Sequence, residues 1–292
     1  MATLISLPVV QKELRQNLRG QAALVVENLY LVAIAGAAAI AVLAFGASGQ
    51  PGWSVGYGAF WWLVAIQAVV AIVLGATLAA PVMAVESEQK TADMLTTTPL
   101  TGRALVWSKL LSSFLVGTAM LSMSVPIAMG VFMLGGVSPE VALASFAVLY
   151  GALGLGVTCG LFYSTALNRT AAAVPVAVLG ALGITFVFSG LAEASPALAT
   201  FSPYASVSFV LSTRSVPLFM TSVPAWVVSG VLWLAAIVCL AEASAQRVAL
   251  PRLRRLWGVR RRFAALVFVM SLAAVGSMGA IRPEGQWCVG ST

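Results

Sequence analysis

The chain has 292 residues, of which 60% are hydrophobic and only 9% charged, and its mean hydropathy is +0.99. Soluble domains contain about 45–50% apolar and roughly 25% charged residues, so this composition excludes an ordinary soluble domain and predicts an all-α, polytopic helical membrane protein. The net charge of +7 does not indicate nucleic-acid binding, because the basic residues lie between apolar runs.

The first element is predicted to be an amphipathic helix over residues 7–19, which lies in the membrane interface. Leu7, Val10, Leu14 and Leu18 form its apolar stripe. The charged residues of this helix are Lys12, Glu13, Arg15 and Arg19. The helix is either a simple membrane anchor or a lever that leads into the first span.

Six apolar runs are each long enough to cross the bilayer core, which needs about 20 residues of helix. They cover residues 29–47, 60–82, 110–134, 141–167, 171–191 and 226–245. Pro126 is expected to kink the third run. Between the fifth and sixth runs, residues 201–211 are expected to form a short helix that rests on the membrane.

Two features inside the spans have alternative interpretations. Gly156 and Gly160 have the GxxxG spacing that lets a neighbouring helix approach closely, so we expect them to serve helix packing. Glu27 and Glu242 lie at span edges, where a carboxylate usually reaches water. A place in an ion path is the alternative for these two residues.

The C-terminal part is strongly basic and then apolar. Residues 247–262 contain seven arginines, which are expected to fix the topology and contact lipid headgroups, or to bind another subunit. Residues 263–292 are expected to form a seventh span over 263–281 and a short outer tail, with a surface helix as the alternative. With the N-terminus inside, fourteen of the sixteen basic residues lie in inner segments, which predicts a cytoplasmic N-terminus in the inner membrane.

A charged segment over residues 83–99 separates the second and third runs. Glu86 and Lys90 are four positions apart in the order that favours a helical ion pair. Asp93 continues the charged face, and Met94 and Leu95 offer an apolar contact. The segment is either an ordinary solvated turn or a docking site for a soluble subunit.

The sequence contains neither the phosphate-binding loop of nucleotide-binding proteins nor a zinc-protease motif. GxxxxGK[ST] and HExxH are absent, and the chain has no histidine. We therefore expect no catalytic residue, cofactor or metal in this chain, and no enzyme activity of its own.

The charged segment resembles the first cytoplasmic loop of ABC-2 type transporter permeases. The matching residues are Glu86, Glu88, Thr91, Asp93, Leu95, Thr98, Pro99, Leu100 and Lys109. Residues 7–19 are similar to the elbow helix of these permeases, so the resemblance covers residues 1–246. Lys90 stands where the family usually has glycine, and the arginine run with a seventh span exceeds the six-span pattern.

The resemblance implies a permease subunit of an ATP-driven exporter. A separate ABC ATPase subunit would bind ATP and magnesium and would contact Glu86, Glu88, Lys90, Thr91, Asp93, Met94 and Leu95. The other partners implied are membrane lipid and a second copy of this chain or a homologous permease. The alternatives are a non-transporting scaffold or assembly subunit and an ATP-independent secondary transporter.

Overall fold

A computed structural model describes most of the six-span region. The described residues are 10–11, 21–47, 49, 51–88, 102–167, 169–190, 199–212, 215–218 and 221–249. The predicted elbow helix from residue 12 onwards, residues 89–101, and the basic and apolar C-terminal segments from residue 250 lie outside them.

The described part consists of helices and one short hairpin. The helices are α1 (Gln21–Gly46), α2 (Gly52–Glu88), α3 (Gly102–Ser122), α4 (Val125–Phe132), α5 (Pro139–Ala166), α6 (Thr170–Gly190), α7 (Pro203–Leu211) and α8 (Ala225–Ala249). Strands β1 (Ser215–Leu218) and β2 (Thr221–Pro224) pair in antiparallel register before α8. Six helical stretches, with α3 and α4 counted together, are long and apolar enough to cross a membrane, which confirms the expected helical, multi-pass class.

Helix α2 is longer at both ends than the predicted span 60–82. It continues through Pro81 as far as Glu88, so the beginning of the predicted coupling segment is part of a membrane helix. A proline inside a helix removes one backbone hydrogen bond. The hydroxyl of Ser164 on α5 accepts hydrogen bonds from the N–H groups of Met83 and Ala84, both at 2.9 Å, and stabilises the backbone just after the proline.

The third span also begins earlier than predicted, and it breaks where a kink was expected. It starts at Gly102 instead of residue 110, because Lys109 is buried inside the bundle rather than marking the end of the helix. The break lies at Met123 and Ser124, immediately before Pro126 in the first turn of α4. The predicted kink at this proline is therefore confirmed.

The centre of the bundle is the parallel pair α2 and α5. Glycines on both helices lie against the partner's backbone: Gly156 against Ile72, and Gly160 against Ala76. A Cβ atom built on Gly75 would lie 2.5 Å from the carbonyl oxygen of Leu153, which is too close for a side chain. Gly156 and Gly160 thus lie where the expected packing role places them.

The short helix predicted over 201–211 forms over Pro203–Leu211, but it does not rest on the membrane. All of its residues except Tyr204 and Ser208 are buried, and it packs against α2, α5 and α8. Buried hydroxyls fasten it, since Ser206 donates to Ser229 of α8 at 2.9 Å. The helix lacks a clean amphipathic face because protein surrounds it on most sides.

Candidate functional site

Two ion pairs between described helices lie at one end of the bundle, which we call the charged end: Lys109 pairs with Glu86, and Arg103 with Glu242. Its members lie at the end of α2, the start of α3, the start of α6 and near the end of α8. They are Glu86, Glu88, Arg103, Lys109, Thr170 and Glu242. In the chain, residues 89–101 join the end of α2 to the start of α3, so the residues on both sides of the predicted coupling segment take part in these contacts.

Glu86 of α2 and Lys109 of α3 form the most enclosed ion pair. The Lys109 Nζ atom lies 2.6 Å from a carboxylate oxygen of Glu86, and it also donates to the carbonyl of Val82 at 3.3 Å. The Lys109 side chain is only 2% exposed, against 28% for Glu86. A buried ammonium is costly without a partner, so this pair ties the two helices that flank residues 89–101 to each other.

Glu88, the last described residue before the segment, binds the start of α6. One carboxylate oxygen accepts from the backbone N–H of Thr170 at 2.7 Å, and the other accepts from its hydroxyl at 2.9 Å. The first N–H groups of a helix have no partner within the helix, and the helix dipole favours an anion there. Glu88 therefore supplies from α2 the cap that α6 needs.

Arg103 lies just after the segment and binds α8. Its guanidinium Nη2 is 2.7 Å from a carboxylate oxygen of Glu242, and its Nε atom donates to both oxygens, at 2.8 and 3.1 Å. The Trp107 indole donates to the same carboxylate at 3.5 Å. The Glu242 side chain is 14% exposed, so this carboxylate keeps some contact with solvent while a guanidinium and an indole bind it.

A further cation lies near the end of α8. The Arg247 guanidinium sits 4.1 Å from the ring centroid of Phe162 on α5, a distance typical of a cation–π contact. The contact joins α8 to α5 close to Ser164, which itself binds the backbone of α2. Helices α2, α3, α5, α6 and α8 thus each take part in a polar contact at this end.

The predicted coupling residues divide into two groups. The structure places Glu86 and Glu88 at the charged end, where Glu86 binds Lys109. The remaining predicted residues lie outside the described part of the chain: Lys90, Thr91, Asp93, Met94 and Leu95 of the segment and Lys12, Glu13, Arg15 and Arg19 of the elbow helix.

Several residues of the charged end were missed in the sequence. Thr170 follows an Asn-Arg turn at the start of a span, and threonine at a helix start is a usable capping signal. Arg103 and Glu242 carried no such signal, because their pairing joins positions 139 residues apart.

Gln67, near the middle of α2, is fully buried, and neither of its amide atoms has a hydrogen-bond partner among the described residues.

The class defined by these observations is a multi-pass helical membrane protein whose helices are joined by ion pairs at one end. Among the described residues, no three histidine, cysteine, aspartate or glutamate side chains come together as metal ligands would. The arrangement at the charged end can transmit force between helices, because each contact joins two different ones.

Comparisons with known proteins do not assign this membrane protein to a family. No protein-family model matches the chain, and no curated protein matches it at a significant level.

Proposed function

We propose that this chain is the transmembrane permease subunit of an ATP-driven ABC transporter of the ABC-2 type, and that it works in export. The observation that carries the proposal is the set of contacts made by the helix ends on either side of residues 89–101. The helices on either side of this segment are tied to each other by Glu86 and Lys109, and each is tied to a further helix. A displacement of these helix ends would therefore reach the helices bound to them.

In this proposal a separate ATPase subunit binds ATP and magnesium and docks on the charged end. Its closure on ATP displaces residues 89–101, and the second and third spans, α2 and α3–α4, receive the motion. Asp93, Met94 and Leu95 provide the charged and apolar contact with the ATPase subunit. The elbow helix over 7–19 braces the same contact.

The proposed location is the inner membrane, with the N-terminus and the charged end in the cytoplasm. The distribution of basic residues supports this orientation. The substrate route lies between two copies of the chain, or between this chain and a homologous permease. The described spans have few ionisable side chains away from the charged end, which favours an apolar or lipid-like substrate.

A co-purification experiment tests the proposal. The tagged chain is co-expressed with an ABC ATPase subunit from the same organism, and Asp93, Met94 and Leu95 are replaced together by alanine. We expect the triple variant to insert normally and to lose at least about tenfold of the bound ATPase subunit, as removal of a central interface cluster does. Glu140→Gln is the matched control, because this exposed carboxylate lies in the first turn of α5 at the opposite end of the bundle. Undiminished ATPase binding by the triple variant would refute the proposed coupling surface, and absence of binding by the wild type would refute the permease assignment.

A further inference from the structure

We propose that Glu88 and Glu242 are positioning residues that carry displacement of residues 89–101 onward to the fifth and sixth spans, α6 and α8. The inference rests on the proposed function, because the displacement comes from the ATPase subunit. It goes beyond that function by naming which helices move, and through which atoms.

The Glu88 contact is suited to passing displacement to α6 because it binds the first residue of that helix. Both carboxylate oxygens are used, one on the backbone N–H of Thr170 and one on its hydroxyl. A force along α6 therefore acts on the backbone itself and not only on a flexible side chain. The two contacts are 2.7 and 2.9 Å long, within the range of charge-assisted hydrogen bonds.

Helix α6 is also one of the two least enclosed spans. Only 22% of its apolar window is buried, against 61% for α2 and for α5. One buried side of α6 carries the small side chains Ala173, Ala177, Ala181 and Thr185, which let neighbouring helices approach closely. A link to its first residue is thus well placed to move the whole helix.

The second link acts on α8. Arg103 is the second residue of α3, directly after residues 89–101, and its guanidinium binds both carboxylate oxygens of Glu242. Glu242 lies about two turns before the end of α8. Its ion pair with Arg103 links α8 to the start of α3, so a rotation of α3 also acts on α8. Because Glu86 and Lys109 fasten the ends of α2 and α3 together, one displacement reaches α6 and α8 at the same time.

Amide hydrogen exchange in lipid nanodiscs provides the test, in two arms. In the first arm the chain is studied alone, as wild type, Glu88→Ala and Glu140→Ala. We expect the Thr170 amide to exchange at least about tenfold faster in Glu88→Ala, because its acceptor is lost, and to be unchanged in Glu140→Ala. Unchanged exchange in Glu88→Ala would show that Glu88 does not hold α6, and the inference would fall.

In the second arm the bound ATPase subunit is given a non-hydrolysable ATP analogue. We expect the analogue to alter exchange in the first turns of α6 and around Glu242 in the wild type. Glu88→Gln, which keeps the shape of the side chain, should reduce the change at α6 at least threefold while ATPase binding stays within twofold. The paired exchange Arg103→Glu with Glu242→Arg should retain the change at α8, whereas Glu242→Gln alone should lose it.

The outcomes separate the two proposals. A nucleotide-dependent change at α6 that persists in Glu88→Gln overturns the inference and leaves the permease assignment intact. Failure of the wild type to bind the ATPase subunit overturns both, whatever the first arm gives. If Glu88→Ala does not fold, Thr170→Val removes the hydroxyl contact alone and should still weaken the change at α6.

Discussion

Replacing either partner of the Glu86–Lys109 pair should destabilise the protein, but by unequal amounts. Glu86→Gln leaves an ammonium group in a site where the Lys109 side chain is 2% exposed. Lys109→Met leaves a carboxylate that is 28% exposed and can be hydrated, and methionine fills most of the space of the lysine stem. We therefore expect the first change to be the more damaging.

The magnitudes follow from this burial. Removing one partner of a buried pair costs about 3–5 kcal/mol. We expect Glu86→Gln to cost about 3 kcal/mol, because the Val82 carbonyl still accepts a hydrogen bond from the Lys109 Nζ atom. Lys109→Met should cost about 1–2 kcal/mol, because its carboxylate partner stays partly hydrated. The double variant removes both charges of the pair and should lie within about 1 kcal/mol of the wild type, as buried pairs replaced by apolar groups often do.

Thermal unfolding of the detergent-solubilised protein measures the effect. With roughly 2–4 °C per kcal/mol for a chain of this size, Glu86→Gln should lower the Tm by about 6–12 °C, and the double variant should recover most of it. Glu140→Gln, an exposed carboxylate at the other end, should change stability by less than about 0.5 kcal/mol. A double variant as unstable as Glu86→Gln would show that the loss does not arise from the buried ammonium of Lys109, and the reasoning would be wrong.

Three further predictions concern the bundle and its orientation. Gly160→Ala should destabilise the protein by about 1–3 kcal/mol, because the new methyl group meets the backbone of α2. Gly183→Ala, which has open space around it, should stabilise α6 by up to about 1 kcal/mol. Equal Tm values for the two variants would contradict the close contact between α2 and α5. Gln67→Leu should raise the free energy of unfolding by about 1–2 kcal/mol, since it removes two buried amide atoms without partners, and a lower Tm would show that Gln67 makes a stabilising contact. A cysteine at exposed Arg169, in a background without native cysteines, should react with an impermeant maleimide only after the cell membrane is opened, and reaction in intact cells would reverse the proposed orientation.

The sequence was most informative about the spans, because hydropathy over about 20 residues is a local property. All six predicted runs coincide with long helices, and the proline at 126 marks the break in the third. The ends of α2 and α3 were misjudged for one physical reason. Charged side chains were taken to end the spans, whereas Glu86 and Lys109 neutralise each other across two helices and both stay inside helical structure.

Contacts between distant positions were beyond a single sequence. The GxxxG pattern indicated a close approach at Gly156 and Gly160 but not which helix approaches, and the partner is α2. The capping of α6 by Glu88 and the binding of Glu242 by Arg103 depend on how the helices are arranged side by side. The short hairpin β1–β2 fell in a proline-containing loop with no alternating pattern strong enough to predict it.

The glycine contacts between α2 and α5 restrict how this protein can change shape. Main chain lies against main chain around residues 72–76 of α2, about one helical turn, so sliding or rotation of one helix against the other meets steric overlap there. The pair consequently keeps its internal arrangement and moves as one unit, and it can shift only relative to the helices around it, of which α1 and α6 are the least enclosed. Displacement of the end of α2 in the proposed mechanism would therefore carry α5 with it.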